Sequence, residues 1–567
     1  MDRRDFLKTG SLGFGGMLLG GTALSALVQD AIASSVASGT PWKFGVMADT
    51  QWSNKTTDPA NPGSCAINII QALNQQFIAQ GVKFVVQVGD LCDVESWNCP
   101  SSYTNDPFGN AGKSGIRTMP YRAWAAQSLY DAGIGFFPLR GNHESSQTAA
   151  NELPTLFPQT LGNGSNLGGV TNVVASSNTQ LAGLSYAIDL GNVRIVLLDQ
   201  FTRKNGSSSD ANSGMLDQLT WIDQTLANRP SDTHAFVMSH KNLIGQNHTD
   251  TLFGSNATAN SSYRNSFIAS MQANKVAYCM GGHDHMHHRS IVASPDGASK
   301  AEQIICSSNS YKFYIPQTNP NDTTGRESVI GLELFTIGYY IFTVDGPCVT
   351  VDFYSSSHGA DYGDIDLTLS PASYNFFKRE RFGYSINGKQ FVIANNESYT
   401  SVQDTYMGTT AKILAGTNAD TASDSDYNNR NDVKTVKTGW KDMPTGAASA
   451  VLKLWGLDEN LDLFNASLTG LLPNSDNDYV TDQYVLSLSY DSTLVRPTQL
   501  GTGFCLAAKD ASGNWVNAVN LNEGGTKKLV IGAYKPTYGL GTYGVDPSTH
   551  TVWAVLNRDG EFVARAV

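Results

Sequence analysis

Between residues 42 and 355 the sequence alternates short apolar runs with polar pairs and helix-period segments, and this alternation is its strongest constraint on the fold. The runs are 44–48, 84–88, 134–139, 193–198, 235–238 and 276–280. Near-continuous apolar runs of this length suit strands covered on both faces. Between them Ile69, Ile70, Leu73 and Phe77, then Met215, Leu219, Ile222 and Leu226, recur at helical spacing. Gly81 is placed to end the first helix, and Asn212 or Ser213 to cap the second. Strands alternating with helices specify a layered α/β domain, expected here over residues 42–355. Near its end, stretches 340–344 and 349–354 flank Asp345-Gly346, a hairpin signal.

The remainder has a different texture. Residues 355–363 are rich in Ser, His and Gly, so a linker is expected over 356–375. From 376 to 567 the stretches 390–394, 484–490, 528–533, 552–556 and 561–567 read as strands, and only 447–457 reads as helical. A smaller, mostly-β C-terminal domain is the expectation, and the sequence assigns it no role. Within it, 416–432 reads as a surface loop. Asp424, Asp426 and Asn428 begin like a calcium loop, but Asn429 stands where the Gly belongs and Thr435 where the last carboxylate belongs.

Composition excludes some functions. With 41% hydrophobic residues the chain is not a disordered one, and its net charge of −12 offers no basic face for nucleic acid. Residues 1–33 start with Arg3-Arg4-Asp5-Phe6-Leu7-Lys8, continue through Gly, Leu and Ala, and end at Ala31-Ile32-Ala33. A charged start, an apolar middle and a small-residue cleavage site read as a signal peptide, with an uncleaved membrane anchor as the alternative. The arginine pair resembles a twin-arginine signal, which implies the twin-arginine export machinery as a partner and a periplasmic or extracellular location. The 7 cysteines are an odd number and define no disulfide framework. Cys279 and Cys306 fall in apolar runs and read as core thiols; Cys92 and Cys99 are placed to pair within one loop.

The chemistry lies directly after the apolar runs. The first leads into Asp49-Thr50-Gln51 and the second into Gly89-Asp90-Leu91-Cys92-Asp93. Later runs lead into Gly141-Asn142-His143-Glu144, Ser239-His240 and Gly281-Gly282-His283-Asp284-His285. Ligand sites of α/β sheets lie beyond the carboxyl ends of the strands, so these groups are expected to converge. A single His or Gly-Asp pair at a strand end is most simply a structural turn; five in succession are not. Asp, Asn and His supply oxygen and imidazole donors suited to Mn, Fe, Mg or Zn, and two nearby cations need one shared carboxylate.

This order of motifs resembles the calcineurin-like metallophosphoesterase superfamily over about residues 42–355. The resemblance implies a layered α/β fold of central sheets flanked by helices, and a hydrolase of phosphate ester or diphosphate bonds that works through water activated by two divalent cations. It implies Asp49, Asp90 and His285 on one cation, with Asp90 bridging to a second held by Asn142, His240 and His283. His143 corresponds to the histidine that contacts phosphate and protonates the leaving group. Asp93 and Glu144 are expected to orient ligands or His143; ordinary loop hydrogen bonding is the alternative.

One position departs from the pattern. The first motif usually ends in His, and here it is Gln51. Its amide oxygen is a harder, weaker donor than imidazole, so Gln51 can bind directly, through water, or not at all. Direct coordination is the expectation, with a shift toward Mn²⁺ or Mg²⁺. Phe44-Gly45-Val46 followed by Ala48-Asp49 and Gln51 is also similar to the manganese-dependent branch that splits ADP-ribose and CDP-alcohols, which makes nucleoside diphosphate derivatives the favoured substrates beside simple phosphate esters. A 5′-nucleotidase or nucleotide-sugar hydrolase is a second reading, lowered by Ser145-Ser146 after Glu144 where that branch carries Phe-Asp. A surface binding or adhesive protein on an inactive scaffold is a third.

Other features are set aside. Gly109 to Ser114 mimics a phosphate loop, but Pro107 stands where its first Gly belongs. His287 and His288 are expected at the surface, Arg140 as a packed ion-pair partner, and Asp199 as a structural residue of a hairpin formed by 184–189 and 193–199.

Overall fold

The computed structural model of the chain describes residues 41–52, 60–162, 167–204, 213–230, 232–314, 325–333, 336–346, 348–357, 374, 376–386, 390–395, 400–404, 437–441, 443–449, 451–455, 480–500, 503–535, 537–558 and 560–567. The signal segment 1–33, most of the linker 356–375 and the loop 416–432 lie outside these. No helix among the described residues is long and apolar enough to cross a membrane.

Two sheets face each other in the first part of the chain. One has the order Phe377–Ser385, Cys348–Ser357, Thr336–Asp345, Trp42–Met47, Phe84–Val88, Gly135–Leu139. The other runs Glu327–Glu333, His287–Ala293, Lys300–Ile305, Val276–Gly281, His234–Ser239, Val193–Leu198, Tyr186–Leu190, Asn172–Ala175. Phe44, Val46, Phe84 and Val86 from the first meet Ile195, Phe236, Met238 and Met280 from the second in one buried cluster. That is why the runs are apolar on both faces: their other faces pack under helices. Ile69, Ile70, Leu73 and Phe77 of the helix Ile67–Gln80 cover the first sheet, and Gly81, at φ 67°, ends that helix. Ile222 and Leu226, with Phe267, Ile268 and Met271, cover the second. The helical stretch from residue 213 is broken into Ser213–Leu216 and Leu219–Ala227. Of its two expected caps, Asn212 lies outside the described residues.

The 340–354 hairpin forms, with Tyr340 opposite Phe353 and Val344 opposite Val349. The strand Phe377–Ser385, which the sequence places after the linker, pairs with Cys348–Ser357 at the edge of the first sheet. Residues beyond 390 build two more sheets, with Leu486, Leu488, Phe504, Leu506, Leu556 and Phe562 buried between them. The helix expected at 447–457 is not there: Val451–Trp455 is a strand between Lys437–Lys441 and Gly560–Ala566. A short apolar run fits either period, and pairing on both edges decides for the strand.

The cysteine pairing also differs from expectation. Cys92 is bonded to Cys65, and Cys99 is a buried free thiol. Cys65 bridges Gln51, and the Asp93 amide donates to the Ser64 carbonyl, so the backbone already lays residues 51, 65 and 92 side by side. Cys279 and Cys306 are buried, and burial pushes both thiols up.

Candidate metal centre

Five strands carrying the sequence motifs are parallel neighbours within the two sheets: Trp42–Met47, Phe84–Val88 and Gly135–Leu139 in one, His234–Ser239 and Val276–Gly281 in the other. Their carboxyl ends bring the polar groups together. Donor atoms of Asp49, Asp90 and His285 lie within 4.8 Å of one another, and so do those of Asp90, His240 and His283. Asp90 is common to both groups. Asn142 Oδ1 is 2.9 Å from His240 Nε2, and Gln51 Nε2 is 2.7 Å from Asp90 Oδ2 and 3.4 Å from His285 Nε2.

Local backbone preference does not make this arrangement. Among the described residues eight non-glycines have positive φ, and four of them are Asp49 (52°), Asp90 (47°), His283 (74°) and His285 (54°). Such conformations are uncommon for residues with a Cβ and persist where the surroundings over-determine them. Here the Asp49 carboxylate accepts from the His283 amide at 3.0 Å, and the Asp90 carboxylate from the His143 amide at 3.2 Å. Glycine is needed at Gly141, where a Cβ would overlap Asp90 Oδ1, and at Gly282, where it would overlap Asp49 Oδ2.

Each imidazole has one nitrogen committed to an oxygen. His240 Nδ1 is 3.0 Å from the Val88 carbonyl, His285 Nδ1 is 3.0 Å from the Lys312 carbonyl, and His283 Nε2 is 3.1 Å from Asp250 Oδ1. Because those oxygens accept, the proton sits on that nitrogen, and in His283 and His285 the opposite one keeps its lone pair, the arrangement that metal-binding histidines use. His240 Nε2 instead faces Asn142 Oδ1 and Asp90 Oδ1, at 2.9 and 3.2 Å, and would give up its proton to a cation there. Asp49 Oδ2 and Gln51 Oε1 are buried with no hydrogen-bond partner. Bare imidazole nitrogens, an orphaned carboxylate oxygen and a carboxylate shared by two groups fit a pair of hard divalent cations.

The electrostatics agree with that fit. Burial pushes the Asp49 carboxyl well up, and the neighbouring Asp90 adds to it. Burial also raises Asp90, but the facing His240 and His143 outweigh this and hold it well below its ordinary value. Burial lowers His240, yet Asp90 opposite carries it up to about 9. Burial takes His283 down to about 4 despite Asp250, and His285 well down as well.

Around these residues lies a second layer. Glu144 accepts from the Cys92 and Gly141 amides at 2.8 and 3.0 Å, tying the Asp90 loop to the Asn142 loop; burial, and then Asp90, push its carboxyl up to about 7. His143 contacts the Asp93 carbonyl through Nδ1 and points Nε2 at Asp90 Oδ2, 3.8 Å away. Asp284, between the two histidines of its motif, accepts from the Gln246 and His248 amides at 2.8 and 2.9 Å and so fixes the loop after His240. Sequence reasoning missed Asp250 and Lys312. Lys312 follows the strand Lys300–Ile305, which runs parallel to Val276–Gly281 and ends on the same edge. The apolar run ending at Cys306 is the signal in the sequence that points to the turn carrying Lys312.

Arg140 is a packed ion-pair partner, donating from Nε and Nη2 to Asp199 at 2.7 and 2.8 Å with both side chains fully buried. It also donates to the Glu144, Ser146 and Thr202 carbonyls at 3.2, 2.9 and 2.8 Å, clamping the loop that carries Asn142 and His143. Arg140→Met leaves Asp199 buried and unpaired, so a stability loss of about 3–5 kcal/mol is expected. A urea titration reads it; an unchanged midpoint would contradict the clamp. The histidines expected at the surface are instead buried: His287 stacks on Phe353 with ring centroids 3.9 Å apart, and His288 meets Glu327 at 3.0 Å. Their strand lies inside the second sheet, between two neighbours, and both histidine side chains are buried.

Residues 43–287 match the family model described as calcineurin-like phosphoesterase. Similar solved structures include purple acid phosphatase PPD1 from yellow lupin (Lupinus luteus) seeds, at 13% identity over 62% of this chain and 54% of that one, TM-score 0.37. A dimetal phosphatase from Danio rerio is 16% identical over 55% of this chain and 95% of that one, TM-score 0.31. GAP50, the anchor in the inner membrane complex of Plasmodium, is 12% identical over 59% of this chain and 89% of that one, TM-score 0.32. This chain thus spans about half the length of the lupin phosphatase. No curated protein matches the chain.

Proposed function

We propose that this chain, whose residues 43–287 match the calcineurin-like phosphoesterase family model, hydrolyses a phosphate ester or diphosphate bond with two divalent cations. The observation that carries this is the pair of donor groups sharing Asp90, with His143 beside them. Asp49, Gln51, Asp90 and His285 would hold one cation; Asp90, Asn142, His240 and His283 the other. Such cations lower the pKa of water and stabilise charge on the phosphoryl oxygens. The chain's own part is to place its donors, to shield them from bulk water, and to protonate the departing oxygen from His143 Nε2. Glu144 holds the two ligand loops together, and Asp93 holds His143 by its carbonyl.

Gln51 takes direct coordination in this reading. A half-turn of its amide exchanges Nε2 for Oε1, bringing the oxygen between Asp90 and His285 and giving the orphaned atom a partner. An amide oxygen in place of imidazole favours Mn²⁺ or Mg²⁺ over Zn²⁺ there. Nucleoside diphosphate derivatives and small phosphate esters are the proposed substrates. Export through a twin-arginine signal to the periplasm or beyond is proposed from residues 1–33 alone.

Metal analysis of the chain after Mn²⁺ loading tests the reading. About two ions per chain are expected, as a site with one shared carboxylate requires; chelation should remove both the ions and the ester hydrolysis, and Mn²⁺ should restore them. Fewer than about one ion per chain would leave a binding protein on an inactive scaffold as the better reading.

A further inference from the structure

Two ammonium groups flank the donor cluster, and they differ in setting. Lys241 is buried, is paired with Asp250 and lies 5.6 Å from the centre of the Phe201 ring. Lys312 is on the other side, beside His143. Its Nζ is 3.0 Å from Asp93 Oδ1 and 3.3 Å from His143 Nε2. Its backbone is fixed: the Lys312 amide donates to Ser310 Oγ at 2.9 Å, and the Lys312 carbonyl accepts from Ser308 Oγ at 2.8 Å. Asn309, next in the same turn, donates to the Ala48 and Gly338 carbonyls, both at 2.9 Å, locking the turn to the first sheet. Only the four-carbon stem remains adjustable.

The hydrogen-bond directions say what that ammonium does in the free protein. The Asp93 carbonyl can only accept, so His143 carries its proton on Nδ1. An ammonium can only donate, so His143 Nε2 accepts from Lys312. Two of the three Lys312 N–H groups are therefore directed at Asp93 and His143. Lys312 Nζ thus stands at hydrogen-bond distance from His143 Nε2, the atom read above as facing the departing oxygen.

We propose that Lys312 binds anionic oxygen on the leaving-group side of the substrate, and that the site thereby selects leaving groups bearing a negative charge near the scissile oxygen. This rests on the reading of His143 as the group facing the departing oxygen. In the hydrolysis the oxygen of water bonds to phosphorus and gives up a proton, and the bond from phosphorus to the leaving oxygen breaks. That oxygen takes a proton from His143 Nε2, which gains it from solvent once Lys312 turns from His143 to the substrate. Lys312 alters none of these transfers; it supplies a fixed positive charge beside them. With Asp93 and Tyr311, whose hydroxyl is 3.2 Å from the same Asp93 oxygen, it forms one wall of the site.

Phenyl phosphate and 3-carboxyphenyl phosphate have leaving oxygens of similar basicity and differ by one negative charge. The Mn²⁺-loaded full chain is expected to favour the carboxylated ester in kcat/KM by about tenfold, the scale of one charge-assisted hydrogen bond. Lys312→Met should collapse the ratio toward one with metal content unchanged, and Lys312→Arg should keep most of it. A purely structural Lys312 would lower both substrates together and leave the ratio intact, which would overturn the proposal. So would a wild-type ratio near one, read without any mutation. No turnover of either ester, nor of a nucleoside diphosphate derivative such as ADP-ribose, with both ions bound would instead remove the phosphoesterase reading beneath it.

Discussion

Asp90→Asn is expected to lower the metal bound per chain by at least half and to cut ester hydrolysis by about 10³-fold or more, since Lewis-acid stabilisation is worth several kcal/mol and each 1.4 kcal/mol is tenfold. The reason is geometric. Among the described residues Asp90 is the carboxylate common to the group with His285 on one side and the group with His240 and His283 on the other. Asn keeps the volume and can still accept from the His143 amide, so far-UV circular dichroism should be retained while the bound metal falls. The change also takes away the charge that carries His240 up to about 9. Full metal occupancy in the variant would show that the two donor groups do not act through a shared oxygen.

His143→Ala should do the opposite to the metal. His143 belongs to neither donor group, and it approaches the centre with Nε2 3.8 Å from Asp90 Oδ2. Metal content is therefore expected to stay unchanged while turnover falls by about 10²–10⁴-fold, the usual contribution of a positioned proton donor. The loss should be greatest for alkyl esters, whose departing oxygen needs the proton, and least for p-nitrophenyl esters, whose oxygen leaves as an anion. Equal losses on the two would remove the proton-donor role, and a parallel loss of metal would make His143 a ligand.

The site was legible in the sequence because of how its strands are buried. Runs such as 84–88 and 193–198 are apolar on both faces, so the first polar residue after each marks a strand end, and neighbouring parallel strands bring their ends to one edge. What escaped has physical reasons too. Lys312 and Asp250 lie in turns whose order comes from side-chain hydrogen bonds rather than from any periodic pattern. Cys65 meets Cys92 through contacts across 27 residues, whereas proximity in sequence favours Cys99. His287 and His288 have the composition of a surface and the position of an inner strand, and Phe353 over His287 and Glu327 at His288 cover them through contacts distant in sequence. At 451–455 the apolar residues are too few to show a period, so the partners on either edge decide.

Asp49, Asp90, His283 and His285 all hold left-handed backbone without glycine's freedom to do so. Their order is thus imposed from outside, by the pressed-together sheets and the carboxylate–amide ties between loops. When that outside pressure slackens, these four turns are expected to relax first, so that on the proposed reading cations are released while the strands are still paired. Catalytic competence, as proposed for this site, and folded shape would then be separable, with the first expected to be the more fragile of the two.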